Sequence, residues 1–328
     1  MNNMSNIKNT TDLFLRKTQT VSIDGRGITG LSSGIEELDK ITHGFQEGDL
    51  ITVAGRPAIG KSSLALSMVK RIAIDHRMPV IYISPSMTGE KIVKRLLSIV
   101  CRIPLEHIVS GMLSVEEWEN LERGSAALRD SPIYIFDTPG ISIDKLEEQV
   151  HMFCKQNKAK AVFIDYLQLI QSKGNPNWTR NDEVTDVVCR LKSLAMTLNV
   201  PFIILSQTNR PEHKEATDSI YTPKLSDLRD SGTIEDVSDM VMFIHRPEYY
   251  QVYQDEYGND LRGITELYIE KNLTGHRHRI RLKSNYDIAS FESVQTQNLS
   301  FDTDFKVLYN ASRILSIPLR QSYNSLHP

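Results

Sequence analysis

The feature that most constrains this chain is the stretch Asp49 to His76, DLITVAGRPAIGKSSLALSMVKRIAIDH. Its first apolar run, Leu50 to Ala54, has the length and composition of a buried strand. Gly55-Arg56-Pro57-Ala58-Ile59-Gly60-Lys61-Ser62 then fits the phosphate-loop pattern G-x-x-x-x-G-K-[ST] at every fixed position, with Ser63 next. Leu64, Leu66, Met68, Val69, Ile72 and Ala73 follow at roughly helical spacing. A glycine-rich turn with a surface lysine could match the pattern alone, but not with a strand before it and a helix after it. Gly55 and Gly60 permit the turn and the approach of backbone N–H groups to phosphate oxygens, and the helix aims its positive end at the same anion. The pattern assigns Lys61 to the β- and γ-phosphates and the Ser62 hydroxyl to Mg²⁺. Residues 55–63 are therefore expected to bind ATP with Mg²⁺.

Further apolar runs repeat the theme. Val80–Ser84, Ile133–Phe136, Ala161–Ile164 and Val200–Leu205 read as buried strands, each separated from the next by helical patterns. Thr88 is placed to cap the helix carrying Ile92, Leu96 and Ile99, and Ser114-Val-Glu-Glu117 has capping-box spacing. Strands alternating with helices imply a mostly parallel α/β sheet with right-handed crossovers and ligands at the strands' C-terminal ends. Asp165 falls at such an end, after Ala161-Val-Phe-Ile, and Gln207 at another. An aspartate at a strand end is commonplace as a cap or turn. Downstream of a phosphate loop, it is the expected carboxylate that holds Mg²⁺ through water. Thr265–Lys271 and His276–Lys283 read as a C-terminal β-hairpin turning at Asn272–Gly275, with Arg277, Arg279 and Arg281 alternating onto one face.

Composition excludes several classes. The hydrophobic fraction of 40% and the charged fraction of 24% over 328 residues are those of a globular protein. No run approaches the ~18 apolar residues of a membrane span, and Cys101, Cys154 and Cys189 are too scattered for a disulfide framework or a zinc site. A cytoplasmic location without a membrane partner is expected. The net charge of −3 neither demands nor excludes nucleic acid. Residues 1–27 read as a polar linker or arm, residues 28–295 as the ATPase domain, and residues 296–328 as a tail.

With these segments in place, the chain from about Ile28 to Phe291 closely resembles the C-terminal motor domain of DnaB-type replicative DNA helicases. The residues that carry the resemblance are GRPAIGKS (Gly55–Ser62), IDYLQLI (Ile164–Ile170), Ser206-Gln207, the stretch Ser226 to Asp239, and HRPEYY (His245–Tyr250). It implies a RecA-like P-loop NTPase fold, a hexameric homo-oligomer encircling single-stranded DNA, ATP-dependent unwinding, and partners among replication proteins. It also implies roles: Lys61, Asp165, Gln207 and Lys271 catalytic, Ser62 and Asp165 at the metal, and Gln207 coupling nucleotide state to DNA. Arg180 matches a basic DNA-loop position, and Arg229, Asp230 and Gly232 match a segment that holds the DNA backbone, where the family usually has Glu in place of Asp230.

Three departures stand beside the matches. Where the family has a catalytic Glu in Ser-Leu-Glu-Met, this chain has Ser84-Pro85-Ser86-Met87. Where the family's Lys-x-Arg supplies an arginine finger to a neighbouring subunit, this chain has Lys271-Asn272-Leu273. Such fingers are worth ~10³–10⁵ in rate, so weakened hydrolysis is expected. Glu90 and Arg277 are the nearest substitutes, and the alignment supports neither. Third, the family's N-terminal helical domain is expected to be absent. The alternative to a working helicase is an ATP-binding, hydrolysis-deficient relative acting as an assembly or regulatory partner. A recombination ATPase is a weaker third reading, disfavoured by HRPEYY and Ser226–Gly232.

Overall fold

Apolar runs long enough to cross a sheet once, punctuated by Gly, Pro and capping residues, leave little choice but buried strands joined by helices. The computed structural model describes residues 6–25, 27–174, 177–208, 222–228 and 232–294. Among them, the strands are β1 (Leu50–Gly55), β2 (Val80–Ile83), β3 (Ile133–Phe136), β4 (Ala161–Ile164), β5 (Phe202–Gln207), β6 (Met240–His245), β7 (Ile264–Lys271), β8 (His278–Asn285) and β9 (Ser290–Ser293). The helices are α1 (Ile7–Asp24), α2 (Glu36–Thr42), α3 (Lys61–Val69), α4 (Gly89–Cys101), α5 (Leu105–Ser110), α6 (Val115–Arg129), α7 (Ile143–Asn157), α8 (Arg180–Leu198) and α9 (Gly232–Val237).

All nine strands form one sheet in the order β3-β2-β4-β5-β1-β6-β7-β8-β9. The first six in that order run parallel, and β7, β8 and β9 add on antiparallel. Side chains alternate across the pleat, so each strand feeds two cores. On one face Ile51, Val53, Tyr82 and Phe163 pack with Leu64, Met68, Ile92 and Leu96 of α3 and α4. On the other, Leu50, Ile81, Val162 and Phe202 pack with Leu146 and Val150 of α7 and with Val187 and Leu191 of α8. The expected mostly parallel α/β sheet is what forms.

Several local expectations change. The helix after the phosphate loop widens into a π-helical segment, Lys70–Asp75, instead of staying α-helical. Thr88 sits at the start of α4 without a side-chain cap bond. The cap comes instead from a neighbouring strand end, where the Asp137 carboxylate accepts the Gly89 N–H at 2.7 Å. The Ser114–Glu117 capping box forms with both reciprocal bonds. Arg180 is not in a loop but opens α8, behind the capping pair Thr179 and Asp182. The hairpin's second strand starts at His278, not 276, and β9 extends it into a three-stranded flange. The N-terminal arm carries helix α1, capped by the Asn6 side chain and closed at Gly25, with Leu13, Phe14 and Leu15 exposed.

Candidate nucleotide-binding site

The site is built from strand ends. β5 separates β1 from β4, so the backbones of β1 and β4 lie roughly 10 Å apart at ~4.8 Å per strand. Register pairs Gly55 with Gln207 across β1 and β5. The phosphate loop, Gln207 and Asp165 thus leave the sheet together, at the C-terminal ends where an α/β sheet offers its crevice.

The loop itself is shaped by packing as much as by glycine. Ile59 is buried, anchoring the turn in the core under α3. A Cβ at Gly55 would come within 2.8 Å of the Ile244 side chain, so the loop can leave β1 only through a glycine. Gly60 has φ +115°, a region closed to other residues, and the Phe291 ring of β9 lies over it. Ala58 also takes a positive φ, 60°, as a non-glycine residue. A short polar turn held this tightly turns its N–H groups toward one point, and α3 begins immediately after it.

Lys61 is buried, and its Nζ donates to the carbonyl oxygens of Gly55 at 2.7 Å and Arg56 at 2.8 Å. Burial pulls its pKa down to about 8, partly offset by the Asp165 charge. A buried cation held on loop carbonyls, beside a carboxylate, is poised for an incoming polyanion. Asp165 is 3% exposed; one carboxylate oxygen accepts the Tyr82 hydroxyl at 2.8 Å. Behind it, Gln168 ties the ends of β4 and β5: its Nε2 donates to Ser206 Oγ at 2.9 Å and its Oε1 accepts the Gln207 N–H at 3.3 Å. Beside the loop, the Arg56 guanidinium lies 5.8 Å from the Tyr250 ring. The Arg246 guanidinium stacks 3.6 Å from the Tyr286 ring.

A sequence comparison bears on this geometry. Residues 30–293 match the model of the DnaB-like helicase C-terminal domain. The chain belongs to that family.

Curated relatives agree. A probable replicative DNA helicase of Trieres chinensis is 36% identical over 265 residues, 80% of this chain and 57% of its own length. The replicative DNA helicase DnaC of Bacillus subtilis is 36% identical over 248 residues, 76% of this chain and 53% of its own. This chain therefore spans about half the length of the curated relatives it matches. Among solved structures, a helicase-like ATPase domain superimposes with a TM-score of 0.77 at 27% identity, covering 87% of this chain and 98% of that one. A DnaB-like replicative helicase described with its interactions with primase gives 0.74 at 29% identity, covering 82% and 64%. The fold is accordingly the RecA-like ATPase fold of DnaB-type domains.

Not every expected site residue joins this DnaB-like crevice. Because β7 runs antiparallel to β6, Lys271 pairs with Val241, near the start of β6 and at the far end of the sheet from the phosphate loop. Its Nζ donates to the carbonyls of Glu235 at 2.7 Å and Asp236 at 3.1 Å, at the end of α9. Leu273, two residues on, is 93% exposed. Ser86 does lie by the crevice, where its hydroxyl donates to the Asp165 backbone carbonyl at 3.1 Å. Glu90 pairs with Lys94 on the exposed side of α4.

The basic positions are also changed by tertiary contacts. Arg180 is ion-paired with Glu183 and donates to the Gln168 carbonyl. Arg277 pairs with Glu270, Arg279 with Glu266, and Arg281 with both Glu266 and Asp255. The expected basic hairpin face is thus matched by carboxylates on the same face. Gly232 opens α9 with open space where a side chain would stand. Arg229 and Asp230 lie outside the described residues. The sequence reading missed Tyr82; the available signal was a lone hydroxyl-bearing aromatic inside an otherwise apolar strand.

Proposed function

We propose that this chain is the motor domain of an ATP-dependent DnaB-type DNA helicase serving DNA replication. Residues 28–295 form the ATPase domain, 1–27 an arm and 296–328 a tail, and copies assemble into a hexameric ring on single-stranded DNA. Its setting is the cytoplasm; none of the described helices is long and apolar enough to cross a membrane. Replication proteins are its partners.

The observation that carries this reading is the convergence of Gly55–Ser63, Asp165 and Gln207 on one end of adjacent strands. Lys61 exchanges its carbonyl partners for the β- and γ-phosphates, gaining charge-assisted bonds. Ser62 and Asp165 hold Mg²⁺, Asp165 through water; the ion neutralises charge developing on the transferring phosphoryl group. Among the described residues no three acidic, His or Cys side chains cluster into a metal site. One carboxylate and one hydroxyl suit an ion that draws its other ligands from phosphate and water. Gln207, paired with Gly55 and bonded through Gln168, relays nucleotide state toward the DNA segment at Arg180, Arg229, Asp230 and Gly232.

Lys271 and Leu273 face away from their own phosphate loop, so any group there acts on a nucleotide held by a neighbouring copy. With leucine at 273 and serine at 86, transition-state charge and the attacking water are poorly served, and turnover is slow. The test is steady-state ATP turnover with and without single-stranded DNA, combined with displacement of a labelled strand from a fork. DNA-stimulated turnover with displacement supports the helicase. Nucleotide and DNA binding with neither turnover nor displacement would overturn it in favour of an assembly partner.

A further inference from the structure

The end of β2 holds Asp165 from three directions. The backbone contact is ordinary sheet pairing, the Asp165 N–H donating to the Ile83 carbonyl at 2.8 Å. The other two contacts are side-chain contacts. The Tyr82 hydroxyl donates to Asp165 Oδ2 at 2.8 Å, and the Ser86 hydroxyl donates to the Asp165 carbonyl at 3.1 Å.

Register explains why Tyr82 reaches. Tyr82 pairs with Phe163 across β2 and β4, so Asp165, two residues further, projects from the same face as its diagonal neighbour. The Tyr82 ring is fully buried and stacks on Phe163, with centroids 6.3 Å apart and planes 20° from parallel. The hydroxyl therefore has one fixed direction. Burial, reinforced by the neighbouring carboxylate, pushes its pKa well above the ordinary phenol value, so it remains a donor.

We propose that Tyr82 is a positioning residue for nucleotide-bound metal: its hydroxyl fixes the Asp165 carboxylate so that the second oxygen faces the phosphate site, with Ser86 steadying the backbone of the same residue. The inference rests on Asp165 being the metal-linked acid. A carboxylate with one oxygen tied to a rigid donor has lost the torsional freedom that binding would otherwise have to remove. A metal-linked group held this way is the usual work of a supporting hydrogen bond. Removing the phenol oxygen also leaves a buried carboxylate oxygen short of a partner, so the side chain turns to satisfy itself elsewhere.

The test is calorimetric binding of ADP to the full chain, in Mg²⁺ and in EDTA, for wild type, Tyr82→Phe, Ser86→Ala and Asp165→Asn, with thermal melts alongside. The proposal expects Mg²⁺ to tighten ADP binding to the wild type. Tyr82→Phe should cut that gain by at least ~3-fold while leaving affinity in EDTA unchanged. Ser86→Ala should cut it less, by about 2-fold. Adding Tyr82→Phe to Asp165→Asn should change nothing further. A Tyr82→Phe protein with the full Mg²⁺ gain overturns the proposal, even if its melting point falls, because that is the mark of a purely structural tyrosine. Equal loss of affinity in EDTA and in Mg²⁺ also overturns it. Should Tyr82→Phe fail to fold, an undiminished Mg²⁺ gain in Ser86→Ala overturns the bracket and a reduced one supports it. Failure of the underlying reading looks different: wild type and Asp165→Asn would then bind ADP alike, with no Mg²⁺ gain in either.

Discussion

The parallel strands and the antiparallel flange belong to one sheet, yet they treat charge differently. At the parallel end, Lys61 rests on two carbonyls and Asp165 on one tyrosine hydroxyl, partners that an arriving nucleotide and its metal can replace or use. On β7 and β8, Arg279 and Arg281 are committed to Glu266, whose side chain is almost fully buried. Pulling those arginines away would leave an uncompensated buried charge, which costs several kcal/mol. The same residue types are thus available for function in one half and structural in the other. The difference lies in what each partner loses when the pair is broken.

The largest expected effect lies in the parallel half. Lys61→Ala removes a charge that makes at least two strong phosphate bonds, and ATP affinity should fall by ~100-fold or more. Equilibrium titration of a fluorescent ATP analogue checks this, and wild-type affinity in the variant would break the assignment of the loop.

His245 marks the boundary between the halves. It ends β6, stacks on Tyr250 with centroids 5.1 Å apart, and meets the Tyr268 ring edge-on. Burial lowers its pKa to about 4 from 6.5, against the opposing charge of Glu266. Between those values the unfolded chain binds more protons than the folded one, so stability rises with pH there. The stabilisation is intact above pH ~6.5 and is lost progressively as pH falls toward ~4. Urea unfolding at pH 7 and pH 5 should show wild type losing about 2 kcal/mol more than His245→Phe. Parallel losses in the two proteins would mean that this histidine titrates as if exposed.

A third experiment joins the halves across two copies. Ser86→Glu supplies a water-activating carboxylate and Leu273→Arg a donor for developing charge. Together they should raise DNA-stimulated turnover by at least ~10-fold, more than the product of the single changes. Fast wild-type turnover that the pair does not improve would show that other groups already do this work.

The smallest effects sharpen the contrast between available and committed arginines. Arg180 pairs with Glu183 on a helix surface, and such exposed pairs cost little to exchange. Arg180→Ala should weaken single-stranded DNA binding by about 3-fold and lower the salt slope by ~0.7. Arg279→Ala should change affinity by less than ~2-fold while lowering the melting point, because its charge serves Glu266. Fluorescence anisotropy across a salt series separates the two, and the reverse ranking would break the comparison. DNA binding of the wild type that ignores salt would break the DNA assignment altogether.

Much of this molecule could be read before folding. Gly55–Ser62 announces its role locally, because a phosphate cradle is one contiguous turn between a strand and a helix. Asp165 and Gln207 follow from the rule that an α/β sheet gathers ligands at its C-terminal strand ends. Periodicity located the helices with strong apolar faces, such as α4 and α8, and failed for α1, whose apolar residues remain exposed. Other features needed the assembled chain. The cap on α4 comes from Asp137, 48 positions beyond the N–H it accepts. Tyr82 reaches Asp165 across 83 positions, through a register that no local pattern encodes. The arginines of β8 alternate as the sequence indicates, but their commitment to Glu266, Glu270 and Asp255 depends on which strand lies beside them. Sequence alone determined the groups that act within one turn or one strand end, since their geometry is local. Tertiary structure decided which charges remain free and which hydroxyl holds the acid, because pairing energies depend on neighbours brought together only by the fold.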